Sequence, residues 1–346
     1  MHFNFIIGID MSKDWFHFCL KNQQYNILWE GEIENNPEAI FAFLSKLAKQ
    51  QDITQSNTPL SKVIMVIEHT GVYVNHLVNA YLSKGGSLSL VHANKVSNLL
   101  GGTQKFDEKT DQIDARRLAE YGIRYSDKLQ LWTPKEHTIT KLQALERQRS
   151  RTQDAINKME VPLNESKRFD SADVSEMLAE NQKVATDALK ELLKNIERQI
   201  LDLIKSEPHL KQLFKLITSV PGVGPVIATE MIIVTSAFED FKPHQAKQFA
   251  RYAGVTPKPF RSGKKNRKDR ITKRGNKRLK SLLTMGAMAL INSYKTELGF
   301  YYRTRIKQGK QHLSVINAMR NKIILRIFAV VRNQVMYEKN MHISLT

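Results

Sequence analysis

The chain has 346 residues, 41% of them hydrophobic, enough for two or three domains with proper cores. No apolar run approaches the ~20 residues that cross a bilayer, no secretory leader pattern opens the chain, and a single cysteine, Cys19, excludes an internal disulfide and a Cys-based zinc cluster, so a cytoplasmic protein is expected. Net charge is +19, and residues 1–100 contribute seven Lys, no Arg and eight acids, so the remainder holds +20, which points to a polyanionic partner.

In chain order, Phe5 to Ile9 is a short apolar strand ending at Asp10, and Trp15 to Leu20 and Tyr25 to Glu34 read as the next two strands of a β-meander. Pro37 to Gln50 has helical spacing, with Ile40, Phe43, Leu44 and Leu47 on one face. Val63 to Ile67 is the continuous apolar run of a strand buried on both faces, and Glu68 stands at its end. A helix from about Val72 to Ser83, a strand from Ser87 to Val91, and a helix carrying Asp111 and Asp114 complete this part. Three residues apart on a helix, those two carboxylates share a face.

A strand-end Asp, a strand-end Glu and a helical acid pair form the pattern of an RNase H-like (RuvC-like) α/β domain with a metal-dependent phosphodiester site. Carboxylates crowded together repel, and a hard divalent cation offsets that repulsion while leaving positions for phosphate oxygen and water. Mg²⁺ is the expected ion, with Mn²⁺ as a substitute. Asp10-Met-Ser-Lys alone also fits the phosphate loop of an actin-like sugar kinase, but no Gly-rich adenosine motif follows. Nor does a Gly-x-Gly-x-x-Gly follow the first strand, as a dinucleotide-binding fold requires.

From about His137 to Leu210 no strand is expected. Leu189, Leu192, Ile196, Ile200 and Leu203 recur at helical spacing, the seam of a coiled coil, and Pro162 to Asp173 is expected to break it into a hairpin. An ordinary helix packed on a core and a dimerisation arm both fit this stretch. Next, Val220-Pro-Gly-Val-Gly between apolar helical segments resembles a helix-hairpin-helix element, in which Gly222 and Gly224 let backbone amides approach a phosphate. Between Lys258 and Lys280 there are twelve Lys or Arg and one acid, Asp269. Membrane binding by this stretch is disfavoured because it contains no long amphipathic basic helix. The expected division is 1–135, a metal-binding domain; 136–210, a helical coiled-coil segment; and 211–346, a mainly α domain with the helix-hairpin-helix and the basic region.

Five motifs in this order carry a resemblance: Gly8-Ile-Asp-Met-Ser-Lys, Glu68-His-Thr-Gly-Val-Tyr, Lys109-Thr-Asp-Gln-Ile-Asp-Ala-Arg, Val220-Pro-Gly-Val-Gly and Tyr252-Ala-Gly-Val-Thr-Pro-Lys-Pro-Phe-Arg-Ser-Gly. From near residue 5 to near residue 330 the chain resembles the DEDD/serine transposases of the insertion-sequence-110 family, relatives of the Piv DNA invertase and of bridge-RNA-guided recombinases. The resemblance implies that Asp10, Glu68, Asp111 and Asp114 bind metal and that Ser262 attacks the scissile phosphate to form a covalent phosphoserine intermediate. Arg261, Lys264, Lys265, Arg267, Arg270, Lys273 and Arg274 would neutralise phosphates around it.

It further implies donor and target double-stranded DNA as substrates, a bridge RNA, and a homodimer that assembles into a tetramer, in the cytoplasm at the nucleoid. RNA-binding candidates are Arg116, Arg117, Arg124, Arg147, Arg149 and Arg151, and the run Arg303, Arg305 and Lys307. The competing expectation is a hydrolytic two-metal nuclease or junction resolvase, which would use the same acids with water as nucleophile and leave Ser262 dispensable.

Overall fold

The structure is a computed structural model that describes residues 3–49, 60, 62–68, 71–91, 96, 110–134, 136–262, 265–271, 275–293 and 295–338, the side chains of 258–274 excepted. The chain divides into two compact units, residues 1–134 and 135–346.

In the first unit, β1 (Phe5–Met11), β2 (Trp15–Asn22) and β3 (Ile27–Glu34) form an antiparallel meander. After α1 (Pro37–Ala48), β4 (Val63–Glu68) pairs parallel with β1; after α2 (Asn75–Ser83), β5 (Ser87–Val91) pairs parallel with β4. The sheet order is β3-β2-β1-β4-β5, the mixed sheet expected of an RNase H-like domain. The expected Val72–Ser83 helix starts as a short 3-10 turn over Gly71–Val74. Asn36 caps α1 by accepting from the Ala39 amide at 2.8 Å, and Pro37 occupies the first turn, where its missing N–H costs nothing.

Side chains alternate across a strand. Ile7, Ile9, Met11, Phe16, Phe18, Leu20, Val63, Met65 and Ile67 face the layer of α1 and α2, where they pack on Phe43, Leu44, Leu77 and Tyr81. The even-numbered Ile6, Ile64 and Val66 face the opposite layer, formed by α3 (Asp111–Arg124) through Leu118, Ala119 and Tyr121.

The second unit is helical. It contains α4 (His137–Phe169), α5 (Ala172–Ser206), α6 (Pro208–Thr218), α7 (Pro225–Thr235) and α8 (Ala246–Tyr252). A two-stranded antiparallel arm follows, β6 (Pro257–Ser262) and β7 (Lys265–Ile271). The unit closes with α9 (Lys277–Ile291), α10 (Glu297–Lys307) and α11 (His312–Asn333). Helix α7 is apolar nearly all round and buried, as a central helix must be.

Helices α4 and α5 form the expected hairpin, but the break comes at Asp170–Ser171 and Pro162 lies inside α4. Contacts between the two helices lie in the turn just before the proline: Lys190 Nζ lies 2.6 Å from Glu160, and Thr186 Oγ1 is 4.0 Å from Met159 Sδ. An interior proline costs a helix ~3 kcal/mol, and α4 runs through it with α5 packed alongside. The α5 seam is also displaced. Ile196, Ile200 and Ile204 are buried, while Leu192 is 41% exposed. With Ile139 and Leu142 of α4, these isoleucines join the same core as α7, α9 and α11.

Candidate metal and nucleic-acid sites

The first unit brings the four predicted acids together, and the strand pattern explains how. Asp10 follows Ile6 and Gly8 in alternation, so it faces the α3 layer; Glu68 follows Ile64 and Val66 in the same way. Ile9 pairs with Ile67 in the parallel β1–β4 ladder, so Asp10 and Glu68 leave adjacent strands one step further on. Helix α3 completes the set. A Cβ added at Gly8 would overlap the Ala115 carbonyl and the Ala119 amide, and one at Gly122 would meet Ile6 at 2.6 Å and Val66 at 2.9 Å. Two glycines thus let α3 lie directly on β1 and β4, with Asp111 and Asp114 in its first turn. Thr110 caps that turn, accepting from the Ile113 amide at 3.3 Å. Acids there complement the helix dipole.

The electrostatics register this convergence. Asp10 is raised from 3.8 to about 6, first by burial, then by the charges of Asp111, Asp114 and Glu68, with His17 opposing. His17 is Asp10's cross-strand partner on β2 and reaches Glu32 at 3.9 Å. Four carboxylates with half-buried Asp10 among them are a hard oxygen donor set, suited to a hard divalent cation that removes their repulsion.

One feature of this site, the Glu30 contact, is not apparent from sequence periodicity, and a second, the pair of Arg117 with Asp114, follows from i,i+3 helical spacing. Glu30 on β3 accepts Arg116 Nε at 2.7 Å and Nη2 at 2.6 Å, and Gln112 Nε2 at 3.1 Å, which ties α3 across the sheet. Arg117 pairs with Asp114 at 3.2 Å, holding one of the four acids. Of the arginines considered for RNA, Arg116, Arg117 and Arg124 therefore pair with Glu30, Asp114 and Glu120. Arg149 is buried against Glu146, and Arg303 donates to the Ile291 and Ser293 carbonyls at the end of α9. Arg147, Arg151, Arg305 and Lys307 are exposed.

Ser262 ends β6, in register with Lys265 of β7, and Arg261 pairs with Asn266. Arg267 and Arg270 lie on β7. Gly263, Lys264, Lys273 and Arg274 lie outside the described residues. The arm is anchored at both ends. Asn317 Nδ2 donates to the Val255 carbonyl at 2.6 Å, and the Asn276 amide donates to the Tyr252 carbonyl at 3.2 Å. In the α6–α7 turn, Gly222 has φ +84° and presses on Gly286 of α9, so its missing Cβ serves packing. Gly224 precedes α7 with open space around its Cα.

Buried charges brace the second unit. Glu146 accepts both Arg149, at 2.8 and 2.9 Å, and Arg278, whose Nε also donates to Glu230 at 3.0 Å; this links α4, α7 and α9. Burial pushes the Glu230 carboxyl up. Separately, Glu136, Glu207 and His209 bring one ligand atom each within 4.8 Å of one another. Their surface contacts are met by a 3.3 Å His209–Glu136 pair and a 3.3 Å bond from Thr138 to Glu207.

Among the described residues no helix is long and apolar enough to cross a membrane. The chain is 26% identical to the pilin gene-inverting protein of Moraxella lacunata over 342 residues, 97% of this chain and 98% of that protein. It is 23% identical to the transposase for insertion sequence element IS1111A of Coxiella burnetii, over 96% of this chain and 91% of that one. Among solved structures, Thermus thermophilus RuvC in complex with a Holliday junction substrate matches 38% of this chain and 100% of its own, at 12% identity and a TM-score of 0.28. The DEDD transposase model of IS110 elements matches residues 7–163, and the model described as transposase IS116/IS110/IS902 family matches residues 214–303. Over residues 7–163 and 214–303 the chain is thus similar to transposases of IS110 and of the IS116/IS110/IS902 family.

Proposed function

We propose that this protein is a DNA transposase or recombinase that cuts and rejoins DNA, with Asp10, Glu68, Asp111 and Asp114 holding Mg²⁺, or Mn²⁺ as a substitute, and Ser262 as nucleophile. The observation that carries the reading is the convergence of four carboxylates on the α3 side of the sheet, where burial first and the other three charges second raise Asp10 to about 6, within a region the DEDD model matches. A bound divalent cation supplies positive charge at the phosphate and acidity at a coordinated hydroxyl.

In this reading the Ser262 hydroxyl loses its proton and Oγ forms a bond to phosphorus, while the bond to the leaving sugar oxygen breaks and that oxygen takes up a proton. The serine phosphodiester retains the bond energy for attack by a hydroxyl of the new partner, which regenerates Ser262. The basic residues of the arm neutralise the phosphate's charge, and Gly224 offers a further backbone contact to it. A bridge RNA pairing with donor and target would leave the protein to recognise shape and backbone. Assembly as a homodimer, and as a tetramer at synapsis, is supported by exposed apolar residues along the α4–α5 hairpin: Val161 at 54%, Phe169 at 79%, Met177 at 54% and Val184 at 81%.

A strand-transfer assay with Ser262→Ala tests the reading. Loss of rejoined product together with loss of cleavage supports it; cleavage that continues in the variant makes the protein a hydrolytic nuclease.

A further inference from the structure

Helices α9 and α11 pack against each other and bring together two cations, Lys280 and Arg320, that have no carboxylate partner among the described residues. Both are half-buried. The acids nearby in this core are already engaged, Glu230 and Glu146 with Arg278, and Glu297 with Arg326. Arg320 makes one long bond, from Nη1 to Asn317 Oδ1 at 3.4 Å, and its Nε is buried without a hydrogen-bond partner. Burial holds both cations below their ordinary range, and Arg320's charge lowers Lys280 further. A desolvated guanidinium donor left unmet beside a like charge is costly, and an anion relieves both costs at once.

The pair also has a place in the fold. Lys280 is one helical turn beyond Asn276, the N-cap of α9, which follows the arm. Arg320 is three residues beyond Asn317, which is 5% exposed and holds the Val255 carbonyl just before β6. Both cations therefore stand on the framework from which the β6–β7 arm springs.

We infer that Lys280 and Arg320 form a phosphate-binding subsite at the root of the arm, filled by a phosphodiester of the nucleic acid the protein acts on; this rests on the function proposed above. One non-bridging oxygen accepts from the Arg320 guanidinium and the other from Lys280 Nζ. A polyanion is favoured over a free anion because Lys280 ends a stretch of sequence from Lys258 that holds twelve Lys or Arg and one acid.

The test measures binding of a fluorescent DNA duplex by the full chain across salt concentrations, for wild type, Lys280→Gln, Arg320→Gln and the double variant. Lys183→Gln on exposed α5 is the control for loss of a single surface charge, matched to each single variant. Melting temperature is followed in parallel, without ligand and with inorganic phosphate. The expected result is a fall of about one in the salt slope and roughly tenfold weaker binding for the double variant, with the control unchanged. Without ligand the variants melt no lower than wild type, because a repulsion has been removed.

An unchanged salt slope with a lower melting temperature overturns the subsite and makes the pair structural. An unchanged slope, with phosphate-induced stabilisation lost only in the variants, overturns the nucleic-acid occupant in favour of a free anion. If wild type binds no duplex, the same titration with single-stranded RNA decides. A slope lost in the variants there sustains the subsite while the DNA reading fails; no RNA binding overturns both.

Discussion

Replacing Asp10 by Asn removes a charge that burial and the other three acids both disfavour. The Asp10 carboxyl rises from 3.8 to about 6 on folding, a difference worth about 3 kcal/mol at 1.36 kcal/mol per pH unit. Water still reaches this half-buried group, and screening reduces the figure to about 1 kcal/mol. Because the folded value lies above the unfolded one, the folded state binds the proton more tightly. The penalty is absent below about pH 4, grows as pH rises towards 6, and is complete above it. In EDTA at pH 7.5, Asp10→Asn should therefore melt about 3 °C above wild type, and the gap should close as pH falls towards 4. Adding MgCl₂ at pH 7.5 should reverse the order, since a cation stabilises the state that binds it, and wild type alone retains all four carboxylates. Differential scanning fluorimetry with and without EDTA reads both effects. A variant that melts below wild type in EDTA, or gains as much from Mg²⁺, would refute the claim that these acids repel one another and share a cation.

Two further perturbations probe how the sites are held. Gly8→Ala would drive a methyl into the α3 backbone, which cannot rotate away, so about 1–3 kcal/mol of stability should be lost, and the Mg²⁺ response with it, because α3 carries two of the acids; urea unfolding with and without Mg²⁺ measures this, and an unchanged midpoint contradicts it. Arg278→Ala strands the buried Glu230 and leaves Glu146 to Arg149 alone, and should cost about 3 kcal/mol, seen as a lower urea midpoint; Arg278→Lys should recover only part, because one ammonium cannot reproduce the guanidinium fork.

Where the sequence carried a continuous apolar run or a helical spacing, the structure follows it. The runs at Phe5–Met11 and Val63–Glu68 become paired strands whose geometry places Asp10 and Glu68 on one face, and the spacing of Asp111 and Asp114 places both in the first turn of α3. Contacts fixed by strand register could not be read this way: His17 meets Asp10, and Glu30 meets Arg116, only after three strands have paired. The arm was equally hidden, because Lys265–Ile271 is almost wholly polar and lacks the apolar alternation that marks a strand. At Pro162 the local rule pointed to a break, and pairing between the long helices prevailed. A shift of one position also separates Leu192, which is exposed, from Leu193, which is half-buried, a distinction that equal hydrophobicity cannot make.

The proposed covalent attachment of DNA to Ser262 can be detected by mass spectrometry of the protein expressed with its native flanking DNA. After denaturation and nuclease digestion, the peptide containing Ser262 should carry a nucleotide remnant, and Asp10→Ala should abolish it. Cleaved DNA accumulating with no adduct on any serine or threonine would rule out the phosphoserine intermediate and make water the nucleophile.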